Sequence, residues 1–443
     1  YTNITACDSL VWNGVTYDSS GVYTFLPEFI QLGQDIDGEA QDDYSGGSVS
    51  LSSDGSIMAI GAFENDGNGS KSGHVRVYEI IGGSWLQIGQ DIDGEAAWDK
   101  SGWSVSLSSD GNTVAIGALG NDGNGSNSGH VRIYQNIGGS WSQIGGDIDG
   151  EADNDQSGYS VSLSSDGNTV AIGAPDNNGI NSSSGHVRVY QNVNGSWTQL
   201  GQDIDGEAAG DHSGYSVSLS SDGNTVAIGT PYNDGNGSDA GHVRIYENIG
   251  GTWSQIGADI DGEAASDFSG WSVSLSSDGN TVAIGTPYNN GNGSNAGHVR
   301  IYENTAGSWS QIGQDIDGEA EQDQNGYSVS LSADGNTVAI GAWFNDGNGF
   351  NSGHVRIYEN INGTWTQLGG DIDGEAAVDI SGCSVSLSSD GNTVAIGAPY
   401  NDGNGSDAGH VRVYNLPLLT NSGGCDSTAI LNLTITNANT STT

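Results

Sequence analysis

Carboxylates recur along this chain at a spacing that suits binding chemistry. The pattern Asp-x-Asp-x-Glu-x-x-x-Asp occurs seven times. Its members are Asp35, Asp37, Glu39 and Asp43; Asp91, Asp93, Glu95 and Asp99; Asp147, Asp149, Glu151 and Asp155; and Asp203, Asp205, Glu207 and Asp211. The remaining copies are Asp259, Asp261, Glu263 and Asp267; Asp315, Asp317, Glu319 and Asp323; and Asp371, Asp373, Glu375 and Asp379. Acidic oxygens at alternate positions, with a glycine at the bend, suit a hard cation, and Ca2+ is the expected cofactor. The spacing departs from the EF-hand loop, so a second reading stands beside the first. In that reading the carboxylates cap turns and pair with arginine. Arg76, Arg132, Arg188, Arg244, Arg300, Arg356 and Arg412 each close a Gly-His-Val-Arg tetrad, in a chain with only nine Lys and Arg. That placement reads as a structural ion pair buried between repeats.

Seven of the eight histidines lie in the same tetrads. A histidine in every repeat is expected to pack and to hydrogen-bond rather than to catalyse, and His212 reads as a surface residue. No nucleophile elbow, phosphate loop or histidine-rich cluster occurs. Carboxylate pairs are so abundant that no single acid/base pair stands out. Residues that break the repetition are the better binding candidates. Trp98, with Lys100, and Trp343, Phe344 and Phe350 lie in loops and have few counterparts in other copies. Exposed aromatics there can stack on sugars or seat a partner; drift in permissive loops is the plain alternative.

The elements that position these groups follow from the repetition itself. The tetrad begins at Gly73, Gly129, Gly185, Gly241, Gly297, Gly353 and Gly409, a constant step of 56 residues. Seven units of that length are a repeat architecture covering about 390 of 443 residues. The net charge of −46 excludes nucleic acid and anionic membrane surfaces as partners and favours attraction for cations. No run of 18 apolar residues occurs, so direct membrane insertion is not expected.

Each unit carries four strand signals and no helix signal. In the third, Ser160-Val161-Ser162-Leu163 alternates with period two, Asp166-Gly167 turns, and Thr169 to Ala174 is more apolar. His186 to Tyr190 follows a Gly/Asn/Ser loop, and Asn194-Gly195 turns into Trp197 to Leu200. Four antiparallel strands repeated seven times predict an all-β, seven-bladed β-propeller, with an open solenoid as the competitor. Ring closure decides between them. The fourth strand holds Trp85, Trp141, Trp197, Trp253, Trp309 and Trp365, and its seventh slot falls at Phe29, ahead of the first full unit. The segment from Phe29 is therefore expected to complete the blade that ends at Tyr414, leaving no free sheet edge. The short turns then share one face and the acidic loops the other. An aromatic slot before the first strand holds Trp103, Tyr159, Tyr215, Trp271 and Tyr327, with Gly47 and Cys383 completing it. It predicts packing between blades near the axis, with Cys383 a free, small apolar residue.

Residues 1–26 and 417–436 lie outside the repeats and read as short strands. They are expected to form one small β module split by the propeller (27–416, with 29–36 completing its last blade), tied by a Cys7–Cys425 disulfide and hung from the short-turn face. Residues 437–443 read as a linker, and the chain as a segment of a longer or processed protein.

The unit Ser-Gly-Tyr-Ser-Val-Ser-Leu-Ser-Ser-Asp-Gly-Asn-Thr-Val-Ala-Ile-Gly-Ala-Pro at 157–175, with Gly185 to Tyr190, resembles FG-GAP repeats. Those build integrin-α-type propellers and many bacterial surface proteins. The phenylalanine of Phe-Gly is replaced here, as at Ser157 and Asn325, and the Asp-rich loop between the first two strands is shortened to Ser-Ser-Asp-Gly-Asn. The calcium site of integrin-type blades does not carry over to that place. The ends, with Ala6-Cys7-Asp8-Ser9 and Gly424-Cys425-Asp426-Ser427, are similar to a tandem module of very long adhesins of gliding and filamentous bacteria. The two resemblances imply a secreted, non-enzymatic, cell-surface module of an adhesin or fibre, presenting its acidic loop face to neighbouring copies, other modules of its own chain, or glycans and proteins of another cell. A carbohydrate-binding propeller that uses the unique aromatics is the alternative. A hydrolase hidden in the acidic face is a third.

Overall fold

The alternation Ser-Val-Ser-Leu has a specific use at the centre of a ring. In the computed structural model, Ser104–Leu107 forms the innermost strand of a blade whose other strands are Thr113–Ala118, His130–Asn136 and Trp141–Gln143. Val105 and Leu107 are buried on one face, while the serines on the other reach the next blade. The Ser104 hydroxyl donates to the Gly158 carbonyl at 2.8 Å, and the Leu163 N–H donates to Ser106 Oγ at 2.9 Å. Neighbouring backbones run so close near the axis that a Cβ on Gly117 would fall inside the Gly158 carbonyl. Larger side chains would hold the blades apart.

The structure describes residues 29–416 in full. Outside them it describes the backbone of Thr2–Cys7, Leu10–Trp12, Val15–Tyr17, Gly21–Phe25 and Ala429–Thr436. Among the described residues every named element is a strand. Seven four-stranded antiparallel sheets follow one another around the axis, so the fold is a seven-bladed β-propeller. The last blade takes Ser384–Leu387, Thr393–Ala398 and His410–Asn415 from the end of the repeats and Ile30–Gln31 from their start. Its seam is hydrogen-bonded from Leu32 N–H to the Val413 carbonyl at 2.7 Å, and Ile36 pairs with Val411. The solenoid alternative is thereby excluded.

The core lies between blades. Val75 and Val77 of one blade pack with Val105, Leu107, Val114, Ile116 and Trp141 of the next. At the seam Val411 and Val413 meet Val49, Leu51, Met58, Ile60 and Trp85 in the same way. Each fourth-strand tryptophan also crosses the interface, as when Trp141 Nε1–H donates to the Ile88 carbonyl at 2.9 Å.

One feature of each blade departs from the expected four strands. The opening of the acidic motif is itself a two-residue strand: Ile92–Asp93 pairs with His74 and Val75, continuing the sheet edge beyond the outer strand. Ile92 is buried in the core, which accounts for the apolar residue between two acids. In the sixth blade the outer strand and this extension fuse into one strand, Thr364–Asp373.

The chain divides into two compact units, the propeller being one. In the other, Thr2–Cys7 pairs in parallel with Ala429–Thr436, which pairs antiparallel with Gly21–Phe25. The two chain ends thus share a three-stranded sheet. Cys425 and residues 437–443 lie outside the described residues, and the Cys7–Cys425 pairing and the linker with them.

Candidate functional site

Antiparallel pairing sends the Ser108–Thr113 and Ile137–Ser140 turns to one end of the blades and the long loops to the other. The long loops are stitched to one another. Trp98 N–H donates to the Ser70 carbonyl at 2.8 Å, and Ser101 N–H to the Ser72 carbonyl at 2.9 Å. Across the seam Asp42 N–H reaches the Ser406 carbonyl at 2.9 Å, so the belt is closed. Gly129 permits this approach: its φ is +70°, and a Cβ there would fall inside the Ser157 carbonyl.

The four acids of one motif play different parts, two of them on Arg132. Asp99, the last, is buried; its Oδ2 accepts from Ala96 N–H at 2.9 Å, Glu95 N–H at 3.2 Å and Asn121 Nδ2 at 3.2 Å. It caps the loop, as the second sequence reading expects. Asp93 contributes its backbone: Arg132 Nη2 donates to its carbonyl at 2.7 Å. Its carboxyl is raised above the ordinary range by partial burial and by neighbouring Asp91, against the pull of Arg132. Glu95 turns Oε1 to Arg132 Nη1 at 3.6 Å. Asp91 accepts from Gln87 Nε2 at 2.6 Å.

Arg132 is buried, and its guanidinium also lies 5.5 Å from the Tyr134 ring centre. Its cation is therefore matched by a carbonyl, a carboxylate and an aromatic face together. Arg188, Arg244, Arg300, Arg356 and Arg412 repeat the arrangement, and Arg76 joins Asp37 and Glu39 at the seam.

Acids from different copies then converge on histidine. Glu95, His130 and Asp147 place one ligand atom each within 4.8 Å of one another. Glu39, His74 and Asp91 do the same, and at the seam Asp35, Glu375 and His410. Among the described residues there are seven such groups. His130 is only 1% exposed. Burial, reinforced by Arg132, lowers it to about 4 against the opposing pull of Asp147 and Asp99, so it is neutral at physiological pH. No spacing rule within one repeat brings these groups together. Glu95 and Asp147 stand 52 positions apart in different copies of the motif.

The aromatic slot lines the loop end of the axis. Ring contacts run Trp103–Tyr159 at 5.7 Å, Tyr159–Tyr215 at 4.8 Å, Tyr215–Trp271 at 4.7 Å and Trp271–Tyr327 at 5.7 Å. Where the slot holds Gly47, Phe63 from the adjacent loop lies against it and meets Trp103 at 4.9 Å. Trp343 stacks on Tyr327 at 3.8 Å and on Phe344 at 4.3 Å, and donates to Gln324 Oε1. These two unique aromatics are thus engaged with their neighbours. Phe350, 67% exposed, and Trp98, 57% exposed, are free to meet a partner. Trp98 borders a cavity of about 480 Å3 lined also by Lys100, Trp103 and Tyr159. Lys71 and Lys100, the two lysines of the chain, lie 5.4 Å from the Trp98 ring and 5.6 Å from the Trp103 ring. Both approach Glu64, at 2.8 Å and 4.0 Å. Cys383 is a free thiol pushed up to about 12 by burial.

Fold and loops together define a propeller whose sevenfold polar network holds its loop face rigid. The FG-GAP repeat family model matches residues 92–134, 204–246, 259–302 and 316–358, so the chain carries FG-GAP repeats. Each matched segment runs from the start of the two-residue edge strand, or in one case the residue before it, to the tyrosine that follows the tetrad. No curated protein matches the chain. Among solved structures it is similar to a Bacteroides uniformis protein assigned by name to the 6-phosphogluconolactonases, at 12% identity and a TM-score of 0.51, over 74% of this chain and 85% of that one. It is also similar to Kuenenia stuttgartiensis hydrazine synthase, at 14% identity and a TM-score of 0.50, over 83% of this chain and 94% of that one. Likeness at such identities shows the fold alone.

Proposed function

We propose that the chain is a non-enzymatic binding module of a secreted, cell-surface adhesin or extracellular fibre, acting through its loop face. The observation that carries this reading is equivalence. The buried arginines and capping aspartates hold matching partners around the ring, so their polar chemistry is spent on stiffening a surface. Catalysis concentrates unlike groups at one broken-symmetry site; here the same groups recur in every blade. A stiff, strongly acidic face loses little conformational freedom when it docks, which favours adhesion. Beads coated with the whole chain should adhere to cells or to one another. Substitutions in the long loops should reduce attachment, while substitutions such as Asn112→Ser in the short turns should not. Equal effects from both ends would overturn the reading.

A second reading rests on the one strongly asymmetric place. Trp98, Trp103 and Tyr159 offer stacking faces beside the two lysines, a combination that suits a sugar bearing a carboxylate. A glycan array with uronic- and sialic-acid ligands should then show binding that Trp98→Ala abolishes and Trp343→Ala spares. Binding to neutral glycans only, or none, would discard it.

A further inference from the structure

We propose that the seven His-Glu-Asp groups are sites for a first-row transition-metal dication of the Zn2+ type, one per blade interface, in preference to Ca2+. This goes beyond the adhesion reading and does not depend on it.

Three observations meet at each group. First, the imidazole is buried, with its Nε2 unpartnered and its Nδ1 turned to an acid. His130 is 1% exposed, its Nε2 has no hydrogen bond, and its Nδ1 is turned to Glu95 Oε2 at 4.0 Å, beyond hydrogen-bond reach. His242 Nδ1 stands likewise 3.9 Å from Asp259 Oδ2. The unpartnered Nε2 recurs at His74, His242, His298, His354 and His410. Second, the ring faces both acids: His130, Glu95 and Asp147 each bring a ligand atom within 4.8 Å of the other two. Third, the far oxygen of each carboxylate is already held. Arg132 takes Glu95 Oε1, and Gln143 Nε2 donates to Asp147 Oδ1 at 2.6 Å. Such outer partners orient first-shell ligands and leave the other oxygen to the ion.

One nitrogen and two carboxylates, with space for water, suit Zn2+ or a related dication; an imidazole is a poor ligand for Ca2+. Bonds near 2.1 Å would set ligand atoms about 3.4 Å apart, so atoms now up to 4.8 Å apart must draw together by up to about 1.4 Å. Glu95 is nearly half exposed and can make that move. Two carboxylates against one arginine leave each group net negative, which draws in a cation.

Native mass spectrometry of the whole chain, stripped with EDTA and then given Zn2+, Co2+ or Ca2+, counts bound ions as integers. Zn2+ and Co2+ should add up to seven ions, Co2+ with a visible d–d band. Asp147→Asn and Glu95→Gln should each lose one ion, and the double variant the same single ion. Glu303→Gln, an exposed acid outside the groups, should lose none. These changes leave the buried histidine and the core intact, so loss of an ion would not reflect misfolding. A Zn2+ count unchanged by both substitutions, or stoichiometric binding of Ca2+ but not Zn2+, would overturn the proposal. So would a high-resolution structure of the Zn2+-soaked chain showing only water at Nδ1.

Discussion

Ser389 N–H donates to the Ser53 carbonyl at 2.8 Å, joining the last blade to the first across 336 positions of sequence. The same bond runs from Ser53 to Ser109, Ser165, Ser221, Ser277 and Ala333, and back to Ser389, every member at 2.8 or 2.9 Å. Each of the seven residues gives one bond and takes one. The ring is therefore complete only when the final blade is in place, and that blade depends on residues near 30–37.

Removing those residues should open it. A chain beginning at residue 38 would leave His410–Asn415 as a bare edge and uncover Val411 and Val413. Exposed edges of this kind recruit other chains. The truncated chain is expected to aggregate and to lose its single cooperative melt, and a peptide of residues 27–44 should restore both by strand addition. A truncated chain that stays monomeric and melts like the parent would contradict this.

The indole bonds offer a graded test. Trp141 is buried and donates to the Ile88 carbonyl. Trp141→Phe keeps most of the packing and removes the donor, and should cost about 1–3 kcal/mol in urea unfolding. Trp141→Ala should cost about 3–5 kcal/mol. The Phe29 slot already lacks an indole, so the ring tolerates one missing bond of this type.

Two glycines separate backbone strain from crowding. Gly83 and Gly73 both have positive φ, 85° and 71°. Beside Gly83 there is open space, whereas a Cβ on Gly73 would fall inside the Ser101 carbonyl. Gly83→Ala should cost only about 1 kcal/mol, the price of a left-handed residue. Gly73→Ala must also push two loops apart and should cost several times more, measured by the shift in melting temperature.

Much of this was legible because the repeat is strict. A constant step of 56 residues located strands, turns, the seam at Phe29 and the aromatic slot without any structure. The arginine pairing followed from charge scarcity; that the last acid of the motif, Asp99, is the one that caps the loop did not. What was not legible depends on curvature between copies. Nothing in one motif says that Glu95 meets His130 and Asp147, or that Phe63 covers Gly47, because ring geometry sets those distances. The edge strand at Ile92–Asp93 was obscured by its acids, which look like loop when the buried isoleucine between them is overlooked.

Acid should unfold the metal-free chain from a predictable pH. His130 faces Arg132 on its own strand, Glu95 and Asp99 in one loop and Asp147 in another, yet burial dominates and holds it near 4. His74, His186, His242, His298 and His354 are also lowered to about 4. In the unfolded chain each titrates near 6.5. A depressed histidine is neutral when folded, so protons favour the unfolded state. Stability is fully present above pH 6.5 and is lost as pH falls from 6.5 towards 4. A gap of this size is worth about 3 kcal/mol per histidine at the low limit. Domains are stable by about 5–15 kcal/mol, so a few histidines suffice. In EDTA, thermal melts should be flat above pH 7 and fall steeply below 6.5, with the chain unfolded before pH 4. His130→Gln should shallow the slope by about one histidine's share. A melting temperature unchanged between pH 7 and 4.5 would show that the histidines are solvated in the folded chain.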